Sequence, residues 1–473
     1  MIIEEGKKFG YFVKPSKSWI ILKNPDRKQE VETLFQDAPI NITTEGKRHL
    51  GAVLGTEDYK NTYIDEKVTE WCGRIMKLSE IAKSEPHAAY SAFIHGEQHR
   101  YTYFMRTIGS IDENLKPLDQ VIDEHFIPAL FGMDISEDDR ELVSIQVKEG
   151  GLGIRQIHQN SSDTHKTSKT ITMPLTTQII KQSNILPDVE AVRNARSTTM
   201  MKVRDEQVKR TNAIKAKQSP VVQRKLLQVS EPGASSWLGA LPLSQYGFDL
   251  SKGEFQDALC LRYEKTLKNL PSQCVCKSKS KFTVNHALNC HNGGFIDIRH
   301  DSIRDLEAHM MRSVCNDVET EPHLQKVVNR TNYAKSANLD DEARLDIRTK
   351  GFWRDGQNAF FDVMVTNAEC KSQESSSIKS VLRTNENKKK LKYNRRVIEV
   401  EHGTFTPLIF TTSGAMGQEC IKYHKTLAEK ISKKNGEKYD DIMRYIRVKI
   451  SFLVLKARLS QAFDLMLTLN FSI

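Results

Sequence analysis

Cys274, Cys276, His286 and Cys290 crowd three thiols and an imidazole into one short stretch, and no other feature limits the fold of this chain as tightly. Thiolate sulfur and imidazole nitrogen suit Zn²⁺, and four such ligands close a tetrahedral site of the structural kind. His286 and Cys290 stand four residues apart, which places them on one face of a helical turn. The Cys-x-Cys gap is tighter than usual for zinc sites, and a set of unrelated buried cysteines is the competing reading. A closed set of four leaves no open position, so a metal here would hold structure and perform no catalysis. Met1 to Gly10 carries no apolar segment of the signal-peptide kind. In such a chain, clustered cysteines read as metal ligands before disulfide partners.

The 473 residues suffice for roughly three domains. Hydrophobic residues at 38% and charged residues at 27% argue against wholesale disorder. Lys plus Arg number 70 against 60 for Asp plus Glu, a formal net charge of +10 and a pI near 9.0. That excess favours polyanionic partners, because each cation that neutralises a phosphate releases a condensed counterion. Ile450 to Leu455, the longest apolar run, is too short to span a bilayer. The expectation is a soluble chain with no membrane contact, nuclear or cytoplasmic and not secreted.

Along the chain, Tyr11–Val13 and Trp19–Leu22 flank a polar turn and predict a strand pair. His49 to Gly55 predicts one further short strand. Val68, Trp71, Ile75, Leu78 and Ala82 recur at helical spacing, and further helices fit Pro86 to His99 and Leu115 to Leu130. Gly150-Gly151-Leu152-Gly153 reads as a turn. From about Ser161 to Pro232 the chain is polar and basic, with a helix over Asp188 to Leu227. A solvated connector and a nucleic-acid-tracking arm are both open readings of that helix. Ser251-Lys252-Gly253-Glu254 is a capping box that opens another helix, and a further one starts at Asp301. Strand-like runs follow at Ala343–Ile347, Ala359–Thr366, Arg396–Glu401 and Leu408–Thr411, with a loop around Ser375-Ser376-Ser377 and a helical end.

A second constellation joins Arg344-Leu345-Asp346 to Phe361-Asp362-Val363. Asp362 interrupts an otherwise apolar run, where an ionised carboxylate is costly unless paired or metal-bound. Two carboxylates on neighbouring strands suit Mg²⁺, which activates water and offsets charge on a cleaved phosphate. A lysine from Lys388-Lys389-Lys390-Leu391-Lys392-Tyr393 could orient that water. Salt-bridged aspartates at strand ends are the plainer alternative.

Several stretches together carry a resemblance. Gly10 to Lys17, Gly46 to Gly55, Pro86 to Phe93 with Arg106-Thr107-Ile108, and Trp237-Leu238 with Leu261-Arg262-Tyr263 precede the Cys/His set. Arg299-His300-Asp301, Ala343 to Asp346, Phe361 to Val363, Lys389 to Tyr393 and Val400 to Leu408 follow it. Taken as a set, these resemble the carboxy-terminal half of a reverse transcriptase from the non-LTR retrotransposons that carry a restriction-like endonuclease. The resemblance implies target-primed reverse transcription, in which the nuclease nicks DNA and the polymerase extends the freed end on element RNA. It implies Asp346 and Asp362 as magnesium-binding carboxylates, Lys389 as the catalytic lysine, and Tyr393 beside it. Lys17 is implied near the incoming nucleotide's phosphates, and Arg344, Lys388, Lys390 and Tyr393 are the candidate nucleic-acid contacts.

The chain departs from that pattern in places. The polymerase aspartates should lie upstream of Met1, and no Tyr-Ala-Asp-Asp-like string occurs. Leu345 stands in place of a proline, Asn367-Ala368-Glu369-Cys370 in place of an apolar segment, and Lys388 in place of a glutamate. The expected architecture is multidomain, α/β and α. It comprises the end of a palm (1–62), a helical thumb-like region (63–155) and a basic helical connector (156–235). A segment with the zinc knuckle (236–298) and a restriction-endonuclease-like α/β domain (299–473) complete it. The implied partners are DNA and RNA. The implied activity is magnesium-dependent DNA nicking without polymerisation, the alternative being a catalytically dead nucleic-acid-binding remnant.

Overall fold

Residues 2–38, 40–181, 188–267, 270, 273, 274, 276, 282–328 and 338–470 are described by a computed structural model. The amino-terminal stretch holds α1 (Ile2–Lys8), β1 (Trp19–Ile21), α2 (Lys28–Leu34), β2 (Asn41–Thr43), β3 (Gly46–His49) and β4 (Ala52–Gly55). Helices α3 (Glu57–Ala82), α4 (Pro86–Ala92), α5 (Gln98–Thr107), α6 (Asp112–Val121), α7 (Ile127–Phe131) and α8 (Glu137–Ser144) follow. Next come α9 (Ile157–Ile180), α10 (Val189–Lys217), α11 (Pro220–Val229), α12 (Lys252–Arg262) and α13 (Val284–Asn289). The remainder is α14 (Phe295–Arg312), β5 (Asn316–Thr320), β6 (Ile347–Lys350), β7 (Asn358–Thr366), α15 (Ile378–Glu399), β8 (Thr404–Thr411), α16 (Gln418–Asn435) and α17 (Tyr439–Asn470). The chain is thus mixed α/β and predominantly helical, with small sheets. Among the described residues, no helix is long and apolar enough to cross a membrane.

The elements gather into two compact units that cut across the five expected segments. One comprises Met1–Ser84, Ala92–Ser136 and Ile154–Asn212; the other comprises Glu85–Ser91, Glu137–Gly153 and Ala213–Ile473. The Cys/His segment and the four-stranded sheet belong to the same unit.

In the first unit, the expected strand pair does not form. Tyr11 to Val13 is irregular and exposed, and β1 pairs in parallel with β2, with α2 as the crossover that a parallel pair requires. The single strand expected over His49 to Gly55 is a hairpin: β3 and β4 are antiparallel, and Leu50 (φ 48°) and Gly51 (φ 83°) make its turn. Positive φ at both central residues is the geometry that matches strand twist, and glycine adopts it at low cost. The helical core is built on Trp71, whose ring lies 5.2 Å from Tyr101 and 4.8 Å from Phe104. Buried Asp119 accepts the amides of Ile157 (2.7 Å) and His158 (2.9 Å), satisfying donors that the first turn of α9 would otherwise leave open.

In the second unit the strands run β5-β6-β7-β8, antiparallel except for the parallel β7–β8 pair joined through α15. Helices cover both faces. Ile303 and Met311 of α14, Tyr423 and Leu427 of α16, and Ile446 and Ile450 of α17 pack on Phe361, Val363, Leu408 and Phe410. On the other face, Val381, Leu382, Tyr393 and Val397 of α15 meet Phe360, Phe405 and Ile409. The alternation of β7 therefore splits its residues between two apolar layers, which is why both parities of Phe360 to Val365 are hydrophobic. Glu307 of α14 receives Tyr423 Oη at 3.0 Å and pairs with His424 Nε2 at 2.9 Å, pinning α14 to α16.

Three expectations need correcting here. The run Arg396–Glu401 is not a strand, because Tyr393, Arg396 and Val397 turn inward at helical spacing as the end of α15. Arg396 is fully buried and clamps the carbonyls of Gln325, Asn338 and Asp340. The strand placed over Ala343–Ile347 begins only at Ile347. The single helix expected from Asp188 to Leu227 breaks at Pro220, with Ser219 capping α11. Two local readings hold: the capping box of Ser251 and Glu254 opens α12, and Gly150 (φ 101°) belongs to a turn.

Candidate functional site

Two clusters carry candidate chemistry, both in the second unit. At the first, Thr283 caps α13 by accepting the His286 amide, so the short helix is set by a side chain next to the ligand it presents. Cys290 closes that helix, and Cys274 and Cys276 approach from the preceding loop; residues 277–281 lie outside the described residues. One ligand atom from each of the four residues lies within 4.8 Å of all the others. Cys274 Sγ is 3.7 Å from Cys290 Sγ, and Cys276 Sγ is 3.4 Å from His286 Nε2. The sulfurs are unbridged. Phe282, Ala287, Leu270 and Phe295 wrap the cluster, and burial pushes the Cys274 thiol up to about 11. Thiols crowded this way in an apolar shell fit a metal that replaces their protons, and the four side chains can hold one ion such as zinc. Asn285, on the same helix, joins the cluster to the sheet unit by accepting from Asn367 Nδ2 at 2.6 Å.

At the second cluster, β6 and β7 pair with Ile347 opposite Phe361. Continuing that register by one residue sets Asp346 across from Asp362, on the same side of the ladder. Lys389 of α15 brings Nζ to 2.6 Å from Asp362 Oδ2, although the approach is off the angle of a hydrogen bond and leaves that oxygen without an aligned donor. Asp346 Oδ2 accepts the Val363 amide at 2.5 Å and meets His300 Nε2 of α14 at 3.1 Å. The same imidazole nitrogen lies 3.2 Å from the Val363 carbonyl.

Burial raises the Asp362 carboxyl to about 6, with Asp346 adding to the rise while Lys389 and His300 oppose it. The Asp346 carboxylate, helped by Asp301 and against the cost of burial, lifts His300 to about 9. For Lys389, burial pulls downward, yet the Asp362 charge, then Tyr393 and Asp346, leave it raised. The cluster thus sets two acidic side chains against two basic ones. The hard oxygens and the unaligned, buried Oδ2 of Asp362 fit a divalent cation in chemistry. In geometry the site is looser than the first: among the described residues, only the Cys/His set brings three or more ligand atoms within 4.8 Å of one another.

The remaining sequence candidates are dispersed. Lys388 is exposed on α15, and Lys390 pairs with Glu419 across to α16. Arg344 is exposed, 3.8 Å from Glu321. Lys17 is exposed in the first unit. Tyr393, expected at a nucleic-acid surface, is a core residue: it is 6% exposed and packs on Phe405 at 5.8 Å. No local spacing in the sequence marks His300 for a role. Only the packing of α14 beside β7 brings it to Asp346. Glu369, within the divergent segment 367–370, is a buried anion held by Arg458 at 2.8 Å and Lys225 at 4.0 Å. The segment is thus anchored despite its departure from the expected pattern.

Compared with known proteins, the chain matches no family model and no curated protein.

Proposed function

We propose that this chain derives from a non-LTR retrotransposon reverse transcriptase, that Cys274, Cys276, His286 and Cys290 hold a structural zinc ion, and that Asp346, Asp362 and Lys389 form a magnesium-dependent DNA-nicking site. The observation that carries the nuclease reading is the meeting of Lys389 with Asp362 at 2.6 Å, with Asp346 at the entry to the neighbouring strand β6. Asp346 and Asp362 would hold the cation, which when bound supplies a Lewis acid and an acidified water. Lys389 would orient that water toward the phosphorus and offset the charge that grows on the phosphate oxygens. His300 fixes the Asp346 carboxylate through Oδ2. The net charge of +10 supports DNA and RNA as partners, and a nuclear or cytoplasmic site of action fits such partners. Polymerisation is not assigned to this chain, whose sequence contains no Tyr-Ala-Asp-Asp-like string.

The second reading is a nucleic-acid-binding remnant without catalysis. It is favoured by the charge balance, since Lys389 on Asp362 and His300 on Asp346 already neutralise both carboxylates. Nicking of supercoiled plasmid in magnesium by the full chain, with Asp362→Ala as control, separates the two. Cleavage lost in the variant supports the nuclease. Equal cleavage by both removes Asp362 from the mechanism, and salt-sensitive DNA binding without cleavage establishes the remnant.

A further inference from the structure

Where α12, α17, the loop after β8 and the turn carrying Trp237 converge, they enclose a cavity of about 30 Å³. Among its lining residues are Trp237, Arg262, Thr412, Ser413, Ser451 and Arg458. It has room for about two waters or one small ion.

The wall is mainly apolar, but two arginines and three hydroxyl side chains interrupt it. Among the described residues, Thr412 Oγ1 and Arg458 Nε are both buried without a hydrogen-bond partner, on residues 1% and 6% exposed. Arg262 is 4% exposed, and among the described residues it donates to neutral oxygens: Gly150 O at 3.0 Å, Ser235 Oγ at 2.8 Å, Val147 O at 3.3 Å and Gly151 O at 3.2 Å. Arg458 spends Nη1 on Ser413 Oγ at 3.2 Å and Nη2 on Glu369 at 2.8 Å. That carboxylate is itself shared with Lys225, whose other acidic partner, Glu264, is half exposed.

Arg262 and Arg458 therefore border the cavity, and the one acid that pairs with Arg458, Glu369, is shared with Lys225. Buried positive charge in that excess is costly unless an anion offsets it. A third buried cation reports the same field: burial, then Arg458, pushes the Arg299 guanidinium down to about 10. Ser413 Oγ already donates to Gln228 Oε1 at 2.5 Å, which leaves the Thr412 hydroxyl and the Arg458 Nε–H as the donors free to meet a guest.

We infer that this cavity is a binding site for a small monovalent inorganic anion of the halide class, held by Thr412 Oγ1 and Arg458 Nε beneath the Arg262 guanidinium. Nothing in the proposed nuclease reading uses these residues, so the two stand or fall separately. The anion would tie α12 and α17 to the loop after β8, and its role would be structural.

The test is thermal unfolding of the full chain at fixed pH and ionic strength in sodium chloride, sodium bromide and sodium gluconate, together with bromide-soaked crystals. The expected result is a saturable rise in Tm on the order of 2–4 °C in both halides over gluconate. Thr412→Val, which removes the donor, should lose most of that rise, and a bromide anomalous peak should lie in the cavity. Equal Tm in all three salts overturns the inference, leaving the cavity to water. So does a halide effect undiminished in Thr412→Val, which would place the ion elsewhere. If that variant fails to fold, the crystal decides: a bromide peak in the cavity sustains the site, and its absence removes it.

Discussion

The Cys/His cluster and the carboxylate pair sit in one compact unit and obey opposite rules. The first gathers four soft ligands within 4.8 Å from a loop and one capped helical turn, inside a small apolar shell of its own. The second is assembled from α14, the entry to β6, the middle of β7 and α15, and among the described residues it brings no three ligand atoms within 4.8 Å of one another. The first can exchange its thiol protons for a metal ion. The second is already balanced, with Lys389 and His300 facing Asp362 and Asp346.

That contrast should break first at the thiols. Purified chain is expected to carry one equivalent of zinc, and Cys276→Ser to carry none, since structural zinc supplies an apparent binding energy of about 10–16 kcal/mol. Metal analysis with amide exchange over 282–290 reads the result; zinc retained by the variant would sink the assignment. At the carboxylates, stripping divalent cations should leave the fold intact, but Asp362→Ala should cost about 3 kcal/mol by stranding the Lys389 ammonium. Adding Lys389→Met to that variant should recover most of the loss in denaturant unfolding, and no recovery would mean the pair is not the source.

A smaller effect lies in pH. His300 has its folded value raised from 6.5 to about 9, so its contribution is complete below pH 6.5 and disappears as pH climbs through 9. Unfolding measured between pH 6 and 10 should show this loss in the parent chain and not in His300→Gln. Matching slopes in the two would show that the imidazole is not held as described. The smallest effect is on the helix that presents His286: Thr283→Ala removes its cap and should cost about 1 kcal/mol in zinc-loaded protein, with the zinc content unchanged.

The sequence by itself determined what depends on near neighbours. The four ligands of the Cys/His cluster, the capping box at Ser251, the inward face of α3 and strand β7 are all written in spacings of a few residues. So is the buried cost of Asp362 within its apolar run. What it misjudged were segments whose local pattern suits two structures, such as Arg396–Glu401, where the β-branched Val397, Ile398 and Val400 imitate a strand until Tyr393 and Val397 dock as a helix. Tertiary structure alone decided that Asp346 faces Asp362, that α14 delivers His300 to the pair, that Tyr393 faces inward, and that Arg262 and Arg458 border one cavity. Register, helix docking and buried charge balance are sums over residues far apart in the chain, and no short-range pattern encodes such sums.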